Sequence, residues 1–108
     1  MTFKEKRKFN KMMRTIKRNL RKCIRKWNVF DFYHSFNLFV ECLKGMQEYY
    51  KNGINVVAAE IEGHNRLDNI TKAIDFWKLY SMSSFEEGEK YFNSFCDVIK
   101  QESQYWWD

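Results

Sequence analysis

The chain has 108 residues, 44% hydrophobic and 31% charged, which excludes both a large multidomain protein and a wholly disordered tail. It contains ten Phe, six Tyr and four Trp, but only four Gly and no Pro. The scarcity of turn residues argues against an all-β fold and against a glycine-rich phosphate loop. We therefore expect an all-α fold, a compact bundle of about four helices forming one domain over residues 1–108.

The charges are distributed unevenly along the chain. Residues 1–26 contain twelve Lys or Arg and one acid, Glu5, whereas residues 27–108 contain seven Lys or Arg and thirteen acids. Such asymmetry is typical of a basic arm for polyanions, or of two parts that attract each other within one chain or between copies.

The three cysteines, Cys23, Cys42 and Cys96, lack paired or zinc-ligating spacing, so we expect free, buried thiols. No segment has the pattern of a secretory signal or of a membrane span. These patterns favour a cytoplasmic protein without a cofactor or metal.

A first helix is predicted over about residues 4–26. Its apolar residues recur at the helical period, at Phe9, Met12, Met13, Ile16, Leu20, Cys23, Ile24 and Trp27. The opposite face carries a row of cations, made up of Arg7, Lys11, Arg14, Lys17, Arg18, Arg21, Lys22 and Arg25.

A second helix is predicted over about residues 29–51, with Asn28 or Asp31 as its N-cap, although the pattern also allows one helix to run through from the first. Gly45 lies on a second apolar face of this helix, where it would let a neighbouring element come close.

A third helix is predicted over about residues 56–80, with a start that the pattern does not fix. The apolar run 54–61 fits either a strand or a helical turn, and helix is favoured because a lone strand would have no partner. A fourth helix, over about residues 85–106, begins at a capping box formed by Ser84 and Glu87. Its apolar face comprises Phe85, Phe92, Phe95, Ile99 and Trp106.

The order of motifs in the chain is distinctive. A Lys/Arg-rich helix is followed by Trp27 with Asp31-Phe32-Tyr33, then by Met46 with Tyr49-Tyr50-x-x-Gly53, and finally by Trp106-Trp107-Asp108. This succession resembles a group of small uncharacterised tailed-bacteriophage proteins with a W-D-F-Y-like start and a terminal W-W-D; here Asn28, Val29 and Phe30 separate Trp27 from Asp31. The resemblance implies a helical phage protein in a bacterial host cell, and it brings no catalytic residues.

Two sets of residues contain the groups of a catalytic or metal site. Glu60, His64 and Asp68 would share a face only on a continuous helix, which Gly63 opposes. Asp31, His34 and Ser35 contain the groups of a nucleophilic site, but adjacent helical residues face different directions. Both sets are better explained as polar side chains in contact with solvent, so we do not expect an enzyme.

The cationic face and Trp107 are the predicted binding residues. The leading hypothesis is a phage protein that docks onto and inhibits a host nucleic-acid machine or defence system, such as an RNA-guided nuclease. The partner would be a host protein or nucleoprotein complex. One alternative is a module that binds DNA or RNA directly through phosphates, and another is a structural protein that self-associates in a homo-oligomer. For the basic helix alone, contact with a membrane surface ranks third.

Overall fold

A computed structural model describes residues 2–25, 31–52 and 60–106. These residues form four α-helices, a hairpin of two short strands and a final 3-10 turn, which confirms the predicted all-α fold. In chain order they are α1 (Phe3–Arg25), α2 (Phe32–Asn52), β1 (Glu60–Ile61), β2 (His64–Asn65), α3 (Arg66–Met82), α4 (Phe85–Glu102) and the turn Ser103–Tyr105. The chain divides into two compact units, residues 1–56 and residues 57–108.

α1 begins at a capping box that the sequence analysis did not identify. The Thr2 hydroxyl accepts a hydrogen bond from the Glu5 amide at 3.1 Å, and the Thr2 amide donates to the Glu5 carboxylate at 3.3 Å. Glu5 is the one acid of α1, and its carboxylate is used at this cap. The remainder of the helix therefore carries positive charge alone.

α2 begins at Phe32, with Asp31 in the N-cap role. The Asp31 carboxylate accepts from the His34 amide at 3.0 Å and from His34 Nδ1 at 2.8 Å. Of the two predicted caps, Asp31 is thus confirmed, and Asn28 lies outside the described residues. Because Asp31 is not helical, α2 is not an extension of α1.

Within the first unit, α1 packs antiparallel on α2. Phe9 meets Tyr49 edge to face with ring centroids 6.1 Å apart, and Ile16 lies against Gly45. The predicted close approach at Gly45 is confirmed. No described residue of α1 is fully buried, so its apolar face is only partly covered.

The second unit starts with the hairpin, where the prediction of a helix from about residue 56 was wrong. Glu62 and Gly63 have positive φ values of 50° and 81°, which fit a tight turn between β1 and β2 and are incompatible with a helix. Asn65 then caps α3 by accepting from the Asp68 amide at 2.9 Å. The helix therefore begins at Arg66.

An antiparallel pairing of α3 and α4 forms the core of the second unit. Trp77 packs on Phe95 and Tyr80 on Phe92, with ring centroids 5.4 and 5.3 Å apart. Phe95 is 0% exposed, and Trp106 is buried, as predicted for the fourth helix. The Ser84 hydroxyl accepts from the Glu87 amide at 3.4 Å, as the capping box requires.

Phe85 is the exception on this face of α4, because the predicted core residue is 97% exposed. α3 ends at Met82, and its Tyr80 ring already packs beside Gly88, one turn further into α4. Phe85 therefore lies beyond the last layer of contacts between the two helices.

Candidate nucleic-acid interface

The predicted cations of α1 lie on one exposed helix face, which we call the cationic stripe. Its members, all exposed, are Arg7, Lys11, Arg14, Lys17, Arg18, Arg21, Lys22 and Arg25. At about 1.5 Å per residue, the 23 residues of α1 span about 35 Å. Trp107, the remaining predicted binding residue, lies outside the described residues.

The cationic stripe has no acidic partner in the part of the chain that the structure describes. The ion pairs found there are Asp31 with His34, Glu41 with Lys44, and Glu102 with His64. None of them includes a residue of α1. Among the described residues, no ion pair therefore competes with an external polyanion for the stripe.

Sequence spacing places like charges directly above one another along the stripe. Arg14 and Arg18 are separated by four residues, as are Arg21 and Arg25. Such i,i+4 pairs repel by a few tenths of a kcal/mol each. A helix selected for stability alone would gain nothing from this arrangement.

A groove of about 620 Å³ lies between α1 and α2, beside the stripe. Lys8, Lys11 and Lys44 line it together with Glu41 and Glu48. The mixed charges make this groove a weaker anion site than the stripe, where no acid is present.

Neither of the two candidate catalytic or metal sets forms such a site. The residues of the first set lie on different elements, and those of the second cap a helix. Glu60 lies in β1, His64 in β2 and Asp68 in α3, so they do not share a helix face. No group of three or more His, Cys, Asp or Glu residues within residues 2–25, 31–52 and 60–106 is arranged to hold a metal ion.

Asp31, His34 and Ser35 act together at the start of α2. The Ser35 hydroxyl donates to the Asp31 backbone carbonyl, and His34 bonds the Asp31 carboxylate. The hydrogen bond from the His34 amide lowers the pKa of Asp31 most, and the hydrogen bond from the His34 side chain lowers it further. The three residues thus form a helix cap.

His64 belongs to a contact that the sequence did not reveal. Its Nδ1 atom lies 2.7 Å from the Glu102 carboxylate, and its ring stacks on Tyr105 with centroids 3.9 Å apart. These contacts fasten the hairpin to the end of α4.

No disulfide joins the three cysteines, and none of them is fully buried, which corrects the expectation of buried thiols. Cys23 and Cys96 are half-buried, and Cys42 is exposed at its place on α2. Partial burial and neighbouring Glu41 raise the pKa of Cys42, while partial burial and Asp97 raise that of Cys96. These thiols are thus poor nucleophiles at neutral pH.

No protein-family model, curated protein or solved structure matches this chain. Among the described helices, none combines the length and apolarity needed to cross a membrane. The functional interpretation therefore depends on the residues of the chain, and above all on the cationic stripe.

Proposed function

We propose that this chain is a binding protein that docks onto a host nucleic-acid machine and obstructs it, with the cationic stripe contacting nucleic-acid phosphates. The observation that carries the proposal is the exposure of eight cations on one face of α1, without an acidic partner among the described residues.

Nucleic-acid phosphates suit the full length of this surface. Each phosphate contact releases condensed counterions, and such contacts require a row of accessible cations but no base-reading side chain. The helix α1, about 35 Å long, provides such a row.

The resemblance to tailed-phage proteins favours a bacterial target. An RNA-guided defence nuclease is one such machine, because its guide RNA and bound DNA present many phosphates in one particle. By occupying the sites where these phosphates bind, the protein would then block the nuclease.

The salt dependence of binding tests the phosphate contacts. Labelled duplex DNA and RNA are titrated with the protein over a range of salt concentrations, with fluorescence anisotropy as the readout. Six phosphate contacts predict a slope of about −5 for log K against log salt on duplex DNA. A slope near zero would contradict the proposal.

A pair of neutralising variants locates the contact. Arg14→Gln with Arg18→Gln removes two stripe charges and should make the slope shallower by about 2. The matched control, Lys72→Gln with Lys100→Gln, removes two exposed charges from the second unit and should leave the slope unchanged. Equal effects of the two variants would mean that net charge, and not the stripe, governs binding.

A direct nucleic-acid-binding module is the second candidate, favoured by the exposure of every cation in the stripe. Capture of the tagged protein from bacterial lysate, with and without nuclease, separates the two functions. A discrete protein that stays bound after nuclease treatment supports the docking protein. Recovery of nucleic acid alone supports the direct module.

A further inference from the structure

The turn between α3 and α4 exposes three large apolar side chains that the proposed function does not use. Phe85 is 97% exposed, Met82 75% and Leu79 41%. Single exposed apolar residues are ordinary, but three within seven residues around one turn are the composition of an interaction surface.

Three acids follow these apolar residues in the sequence. The segment from Leu79 to Glu89 contains Glu86, Glu87 and Glu89, and Lys78 and Lys90 flank it. All three carboxylates are exposed and make no ion pair with the residues that the structure describes. We call Leu79, Met82, Phe85 and these three glutamates the acidic tip.

The helix dipole of α4 explains only some of these negative side chains. Glu86 and Glu87 lie in the first turn of α4, where the helix dipole favours negative charge. Glu89 lies beyond that turn, and the exposure of Phe85 has no capping explanation. Helix capping therefore explains neither the charge of Glu89 nor the exposure of Phe85.

α1 offers the complementary combination near its end. Steps of four and three residues place Lys17, Arg21 and Ile24 on one side of the helix, with Arg25 beside them. Ile24 is 48% exposed and lies at the border between the apolar face and the cationic stripe. We call these four residues the Ile24 surface.

We propose that the acidic tip of one copy of the chain binds the Ile24 surface of a second copy. Phe85 and Met82 would cover Ile24, while the glutamates pair with Arg21 and Arg25. Charge complementarity favours a second copy as the occupant, because three acids lie within four residues of Phe85 and Ile24 lies beside Arg21 and Arg25. The contact joins different surfaces on the two copies, so it would build rings or open chains.

Sedimentation velocity over a range of protein concentrations tests the contact. At low salt the average mass should rise above the 13.3 kDa of one chain as concentration increases. It should return towards one chain in about 1 M salt, where charges are screened beyond about 3 Å. A mass of 13.3 kDa at every concentration and salt level would overturn the proposal.

Matched serine substitutions locate the apolar part of the contact. Phe85→Ser should weaken association by about tenfold or more, and Ile24→Ser should also weaken it. Phe3→Ser changes another exposed phenylalanine, 79% accessible, at the far end of α1, and should leave association unchanged. Circular dichroism checks that each variant keeps its helices, and a Phe85→Ser protein that associates like the wild type would refute the role of the tip.

A charge exchange tests the pairing itself. Arg21→Glu and Glu89→Lys should each give a monomer, and the protein that carries both changes should associate again. A double variant as monomeric as either single one would contradict the pairing. The DNA titration tests the proposed function with Arg14 and Arg18, which the charge exchange leaves unchanged. The failure of one proposal can therefore be told apart from the failure of the other.

Discussion

Gly45 of α2 lies directly against Ile16 of α1: a Cβ atom added to Gly45 would be only 2.8 Å from the Ile16 Cγ2 atom. Real Cβ atoms do not approach other atoms so closely, so any larger residue must displace Ile16 or α1. The absence of a side chain at this one position thus sets how closely the cationic helix packs on α2.

Replacing Gly45 with Ala should therefore destabilise the first unit. Overpacking costs about 1–3 kcal/mol, while exchanging Gly for Ala inside a helix returns up to about 1 kcal/mol. We expect a net loss of about 1 kcal/mol in the free energy of unfolding, measured by chemical denaturation. Ile16→Ala removes the clash, so the double variant should lose less than the sum of the two single variants. Simple additivity would contradict the contact.

Two phenylalanines of α4 should respond very differently to the same substitution. Phe95 is 0% exposed and Phe85 is 97% exposed. Phe95→Ala should lower the free energy of unfolding by about 3–5 kcal/mol, because it leaves a cavity between α3 and α4. Phe85→Ala should change it by less than about 0.5 kcal/mol. Thermal and chemical denaturation measure both, and comparable losses would mean that Phe85 is packed in solution.

The Asp31 cap should make stability depend on pH in the acid range. Hydrogen bonds from the His34 amide and side chain lower the pKa of Asp31 below its ordinary 3.8. The ionised carboxylate therefore stabilises the folded chain above pH 3.8, and this contribution is lost as the pH falls through the lowered pKa.

Asp31→Asn isolates the effect of charge, because the amide oxygen still accepts the His34 amide hydrogen. Its stability should fall less on acidification than that of the wild type. Asp31→Ala removes the cap altogether and should be less stable than Asp31→Asn at neutral pH. Identical acid profiles for the wild type and Asp31→Asn, followed by circular dichroism, would show that the charge contributes nothing.

Tyr105 should hold the hairpin in place through its stacking on His64. Tyr105→Ala removes an aromatic contact of about 1 kcal/mol, so amide hydrogen exchange over residues 60–65 should accelerate by about fivefold. Tyr91→Ala, a half-buried tyrosine in the middle of α4, is the control and should affect α4 more than the hairpin. Unchanged exchange in the Tyr105 variant would mean that the hairpin is held by other contacts.

Helical periodicity predicted most of the described fold. The cationic helix was expected over about residues 4–26 and is found at Phe3–Arg25, because eight apolar positions on one face and eight cations on the other leave a single register. The stripe's exposure followed from the same register.

Hydrophobic periodicity alone could not predict the hairpin or the exposure of Phe85 at the acidic tip. The run 54–61 is apolar except for Asn55 and Glu60, and it fits either a strand or a helix. The positive φ values of Glu62 and Gly63 decide where the chain turns. Phe85 has the right spacing for the core, but its burial depends on whether α3 extends far enough to cover it. The contact of His64 with Glu102 joins residues 38 positions apart, and no local pattern encodes it.

The cationic stripe has one further consequence, for proteolysis. Every Lys and Arg of α1 is a cleavage site for trypsin, yet trypsin requires an extended segment, so a folded helix must open before it is cut. No described residue of α1 is fully buried, so this helix should open more readily than α4, whose Phe95 is buried. The rate at which trypsin removes α1 therefore measures how often this helix leaves α2, and a polyanion bound along it would appear as protection from digestion.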